Sequence, residues 1–119
     1  MTSGLYVGKA VKSILSGIDK VYPLVAKEGT TYPFAVYRRT GLYPSNTKDR
    51  YSYKEMATVE VLVASDEYFE GIEMAERIKG KMEHTRGTYN NIIIGDITLL
   101  NADETYTDNE KAFIQKLTF

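Results

Sequence analysis

In Ala57-Thr58-Val59-Glu60-Val61-Leu62-Val63-Ala64, apolar side chains return at every second position. Ala57, Val59, Val61 and Val63 share one face, and Thr58, Glu60, Leu62 and Ala64 share the other. That is the period of a strand packed on one side. An earlier run, Tyr32-Pro33-Phe34-Ala35-Val36-Tyr37-Arg38-Arg39, is equally rich in β-branched and aromatic residues. In it, Phe34 and Val36 fall on one face and Ala35 and Tyr37 on the other. Gly41, Pro44, Ser45 and Asn46 lie between the two runs and carry turn chemistry. The pair is therefore expected to form an antiparallel hairpin with a long connection, whose arm projects beyond the core.

Two segments follow the helical period instead. Leu5, Val7, Val11, Ile14 and Leu15 recur at near-helical spacing, with Ser3 as a candidate N-cap and Gly17 as the stop. A helix this short needs a sheet to pack on. Tyr68, Ile72, Ala75, Ile78 and Met82 form the second stripe, capped by Ser65-Asp66-Glu67 and expected to end at Gly87-Thr88. Val21-Tyr22-Pro23-Leu24-Val25 is a brief apolar run in which Pro23 removes a ladder donor, so it belongs at a sheet edge.

Toward the C-terminus, Ile92-Ile93-Ile94 and Gly95 to Leu100 read as a strand, followed by a polar stretch from Asn101 to Tyr106. The last strand, Lys111 to Phe119, puts Phe113, Gln115, Leu117 and Phe119 on one face. The expected order is α-β-β-β-α-β-β: an α+β domain spanning 1–119, mainly antiparallel, with two helices on one face of the sheet and a projecting β-hairpin. Val59, Val61, Ile72, Ile78, Ile94 and Phe113 are the expected core.

Composition narrows the function classes. The net charge of −1 gives no global field for DNA, RNA or an anionic membrane. The absence of cysteine rules out disulfides, thiolate catalysis and Cys-based zinc sites. No apolar run reaches the eighteen or so residues a membrane span needs. The N-terminal residues lack the layout of a signal peptide, so the mature protein is expected to begin here.

Candidate chemistry is sparse. His84, the only histidine, stands near a helix end beside Arg86 and reads as a surface residue. Asp103, Glu104 and Asp108 miss the spacing of a calcium loop. Gly4, Gly8 and Lys9 lack a phosphate-binding fingerprint. No catalytic residue, cofactor or metal is expected. Arg38, Arg39, Lys48 and Arg50, interleaved with Tyr43, Tyr51 and Tyr53, make the one basic and aromatic concentration. Tyr and Arg are the usual anchors of protein interfaces, so this arm is the candidate partner or oligomer interface. Two other readings stand beside it: a nucleic-acid-binding α+β module, and a small-ligand-binding or enzymatic α+β domain.

The layout also resembles a known family. A short N-terminal helix leads to Val21-Tyr22-Pro23 and the Tyr32-Pro33-Phe34-Ala35-Val36-Tyr37 segment. A variable loop, the strand Thr58-Val59-Glu60-Val61-Leu62-Val63 and the helix from Tyr68-Phe69-Glu70-Gly71-Ile72-Glu73 follow, and the chain closes on Lys111-Ala112-Phe113-Ile114-Gln115. This resembles the tail-completion (tail-terminator, head–tail joining) proteins of long-tailed phages and prophages over nearly the whole chain. The resemblance implies a non-enzymatic virion protein in the tail, assembled in the bacterial host cytoplasm. It would form a ring, commonly a hexamer, that caps the tail tube. Its implied partners are further copies of itself, the tail tube protein and the head connector or stopper, with DNA only passing through the lumen and no membrane. The Gly41–Arg50 loop departs most from the family pattern.

Overall fold

A computed structural model describes residues 4–44 and 55–119. A 3-10 turn, Gly4–Tyr6, runs into helix α1, Val7–Ile14; strands β1, Val21–Pro23, and β2, Phe34–Pro44, follow. Next come β3, Glu55–Ser65, and helix α2, Tyr68–Met82. A small hairpin of β4, Gly87–Tyr89, and β5, Ile92–Ile94, precedes β6, Asn101–Thr107, and β7, Ala112–Thr118. The main sheet has the order β1-β2-β3-β7-β6, and β4-β5 pair apart from it. Every neighbour is antiparallel except β1 and β2, which are parallel. The α+β fold and the order α-β-β-β-α-β-β are those expected from the sequence, with the β4-β5 hairpin inserted after α2.

The alternation in β3 sets the core. Val59, Val61 and Val63 are buried on the face that both helices cover, joined by Ala35 and Tyr37 of β2 and by Leu117 and Phe119 at the end of the chain. From above, α1 contributes Val11 and Ile14, followed by Leu15, and α2 contributes Met74, Ala75, Ile78 and Met82. Burial of apolar area at about 25 cal/mol per Å² makes this one face the main source of stability. Val21-Tyr22-Pro23 takes the edge position that Pro23 requires.

Several expectations shift in detail. Helix α2 buries Gly71, Met74, Ala75, Ile78 and Met82, so Ile72 and Tyr68 are only half-buried. The stripe turns toward Gly71 because the helix crosses β3 closely there: a Cβ on Gly71 would lie 3.3 Å from Ser65 Cβ. The helix also stops at Met82, ahead of Gly87, with His84 left-handed at φ 61°. Its start is as expected: the Glu67 side chain accepts from the Glu70 N–H at 3.1 Å. Ser3 lies outside the described residues, and Tyr6 precedes α1 without a side-chain cap.

At the other end of the chain, Ile92–Ile94 do not open a strand running to Leu100. They pair with Gly87–Tyr89 across Asn90-Asn91, both at positive φ as a two-residue hairpin turn requires. Ile92 is buried and Ile94 half-buried, and the Asn90 amide donates to Lys9 O at 2.8 Å to dock the hairpin on α1. The polar stretch Asn101–Thr107 is instead a seven-residue strand, held by continuous pairing with β7. Phe113 is half-buried, because only Tyr68 and Tyr106 cover it at the end of the sheet.

Candidate functional site

The β2–β3 hairpin outruns the rest of the sheet. Strand β1 reaches only Ala35–Tyr37 of β2, and β7 pairs with β3 only from Glu60 to Ser65, extended by Val59 and Phe119 exchanging backbone hydrogen bonds. Beyond those points, Arg39–Pro44 and Glu55–Thr58 form a two-stranded arm with no further strand on either side among the described residues. The molecule measures 50 × 23 × 23 Å as a result.

A bulge re-aims the arm. The register steps from Arg39↔Val59 to Gly41↔Thr58, leaving Thr40 as the extra residue. Without that step Tyr43 would continue the helix-side face of Ala35 and Tyr37. With it, Tyr43 sits opposite Met56 on the outer face, and the two are 63% and 71% exposed. They make an apolar pair at the described end of the arm.

The basic residues of the arm do not converge. Arg38 lies on the outer face and pairs with Glu60 at 3.5 Å; Arg39 lies on the helix side and donates from Nη1 to Leu5 O at 2.8 Å. Glu60, only 8% exposed, also receives Lys116 of β7 at 3.8 Å. A charge row therefore crosses β2, β3 and β7 on the uncovered face, and its acidic centre compensates the arginine. Arg38 and Arg39 consequently do not form one cationic surface of the kind a nucleic-acid platform uses. The remaining residues proposed for this site, Lys48, Arg50, Tyr51 and Tyr53, lie outside the described residues.

The opposite edge of the sheet holds a cluster that the sequence did not announce. Tyr68 of α2 donates its hydroxyl to both carboxylate oxygens of Glu104 at 3.0 Å, and Gln115 Nε2 donates to Oε2 at 2.8 Å. The Phe113 ring lies 5.5 Å from that of Tyr68 and 5.0 Å from that of Tyr106. These residues line a shallow cleft of about 270 Å³. The hydrogen bond to Glu104, reinforced by partial burial and by the carboxylate charge, raises the Tyr68 pKa above 10.0. The Tyr37 hydroxyl is raised as well, by burial in the core. Helix α2 and the β6–β7 pair, 36 residues apart at Tyr68 and Glu104, build this cleft, so no local spacing reveals it.

The isolated candidates are occupied by ordinary surface contacts. His84 Nδ1 and Arg86 Nε both approach Asp96, at 3.6 and 3.7 Å, with the histidine side chain mostly exposed. Asp103 accepts from the Asn101 amide at 3.4 Å. Among the described residues no three His, Asp or Glu side chains come together in a way that would hold a metal ion. Among them, too, no helix is long and apolar enough to cross a membrane.

No protein-family model and no curated protein matches this sequence. Its fold is similar to that of a chain in the virion of a native gene transfer agent particle, with a TM-score of 0.73. The likeness covers 98% of this chain and 96% of that one at 10% sequence identity, so it is a likeness of fold over the full length of both.

Proposed function

We propose that this chain is a structural virion protein of the tail-terminator type, a subunit that assembles into a ring capping the tail tube and joining it to the head. The observation that carries the reading is the end-to-end match in fold, 98% of one chain on 96% of the other, to a protein of a gene transfer agent virion. The family resemblance of the strand and helix segments points the same way. So does the architecture: the two sheet edges differ in length, charge and protection, and a contact between unlike surfaces that closes gives a ring. The projecting arm supplies reach toward a neighbouring subunit, the tail tube or the head connector. On this reading the role is structural rather than catalytic.

The reading is tested by deleting the gene from an inducible prophage or particle-producing strain and viewing the particles. Unjoined heads, or tails of unregulated length, that are rescued by the intact gene are the expected result. Normal joined particles without the protein would remove it from tail completion.

A further inference from the structure

The five-stranded sheet ends in two unlike edges. Strand β6 is the last strand on its side, and its seven residues pair with β7 without a bulge, proline or lysine to blunt it. The direction of its free groups follows from the ladder. Val59 and Phe119 exchange both backbone hydrogen bonds, at 2.9 and 2.8 Å, so the pairs Val61↔Leu117 and Val63↔Gln115 do the same. The intervening residues of β7 then bond β6 through Asn101, Asp103, Thr105 and Thr107. That leaves the N–H and C=O of Ala102, Glu104 and Tyr106 directed out of the sheet. Side chains 101–106 are all exposed. An outer edge of seven paired residues is a template for another strand, and its Asp103 and Glu104 select a partner of opposite charge.

The same alternation orients β2. Ala35 N donates to Lys20 O and Leu24 N donates to Tyr37 O, both at 2.9 Å, so odd-numbered groups face away from β3 as far as the bulge. Past the end of β1, Arg39 and then Leu42 carry the backbone groups directed away from β3. The charges of the two edges are opposite. Strand β6 contains Asp103 and Glu104 and no basic residue; β2 contains Arg38 and Arg39 and no acidic one. Faces correspond as well. Asp103 and Arg38 lie on the outer side, whereas Glu104 and Arg39 lie on the helix side.

We propose that β6 is the acceptor half of a sheet junction between copies of this chain, and that the β2 side of the arm is the donor half. The occupant of the β6 edge is thus a second copy. Its arm adds a strand to the sheet, with one opposite-sign pair on each face and the aromatic cleft of Tyr68, Tyr106 and Phe113 beside the helix-side arginine. Each added copy leaves one acceptor and one donor free, so the junction propagates in one direction and gives a ring where the rotation between copies closes. The proposal rests on the reading of the chain as a self-assembling subunit and names the lateral contact.

The chain has no cysteine, so introduced thiols report the contact cleanly. Thr105→Cys places a thiol on β6 and Thr40→Cys places one on the arm; both side chains are exposed. Mixed and treated with a short bismaleimide, the two proteins are expected to give a covalent dimer. Adding Ala102→Pro to the Thr105→Cys protein removes an outward N–H without touching the internal ladder. It should lower the dimer yield at least ten-fold while leaving the circular dichroism spectrum and melting profile near those of the parent. Cross-linking of Thr105→Cys to itself, or no mixed dimer up to millimolar protein, would overturn the junction. Light scattering of the wild type separates the two failures. A closed ring that persists with Ala102→Pro contradicts the junction and keeps the ring, whereas cross-linked dimers from a chain that never closes uphold the junction and remove the ring.

Discussion

The covered half of the sheet and the arm are built from the same two strands, yet they obey different physics. Where β1, β7 and both helices surround β2 and β3, the alternation of β3 converts directly into burial, and Val61 and Val63 are completely enclosed. A few residues further along the same ladder, that support ends on both sides, and Tyr43 and Met56 stand in solvent. Identical backbone pairing therefore supports a core at one end and an exposed two-stranded arm at the other. The first region holds the fold; the second is available for contacts that the isolated chain does not make.

The comparison breaks most easily at two methionines. Met74 is 2% exposed beneath α2, whereas Met56 is on the arm. Met74→Ala should lower the unfolding free energy by about 2–5 kcal/mol through lost burial and a residual cavity. Met56→Ala should stay within about 0.5 kcal/mol of the parent. Equal losses in urea denaturation would show that the arm is part of the cooperative core. Val61→Ala and Ile78→Ala belong with Met74 and should cost about 1–4 kcal/mol each.

A second prediction sharpens the functional side of the contrast. Replacing Tyr43, Lys48 and Arg50 together by Ser should leave the thermal midpoint near that of the parent and abolish tail completion in a complementation assay. Normal particles from that triple variant would place the interface away from the arm. A smaller effect belongs to the boundary between the two regions. Glu60, enclosed between Arg38 and Lys116, should lose about 1 kcal/mol as Glu60→Gln, since both cations are substantially exposed and water screens them.

The smallest effect is one of pH. The Tyr68 pKa is raised by its bond to Glu104, so its protonated form is favoured in the folded chain. That contribution is complete below the ordinary tyrosine value of 10.0 and disappears as pH rises through the higher folded value. A difference ultraviolet titration of the parent against Tyr68→Phe should show this tyrosine ionising above the ordinary tyrosine value. Ionisation at or below that value would mean that the contact with Glu104 does not form in solution.

Legibility in the sequence followed the same division. The face assignment of Val59, Val61 and Val63 could be read directly, because one side of β3 is apolar and the helices cover that side. Strand β6 could not, because both of its faces are exposed from Asn101 to Tyr106 and no alternation is written into it; pairing with β7 alone makes it a strand. In α2 the period gives Ala75, Ile78 and Met82 correctly but points to Tyr68 and Ile72 in the first turns, because glycine carries no hydrophobic signal, although Gly71 lies close against Ser65 of β3. Arg38, Arg39 and Tyr43 could be singled out by type. Arg38 and Arg39 follow the plain alternation of β2, but the face of Tyr43 depended on the Thr40 bulge, which no residue pattern disclosed. The Tyr68–Glu104–Gln115 contact joins three elements and had no local signature.

If the chain is the proposed ring-forming subunit at the end of a virion tail, its mass in solution will report it. Light scattering across a concentration series, alone and with purified tail tubes, should reveal a closed species near six times the 13.5 kDa subunit mass. A constant 13.5 kDa at every concentration, with no association with tubes, would contradict the account.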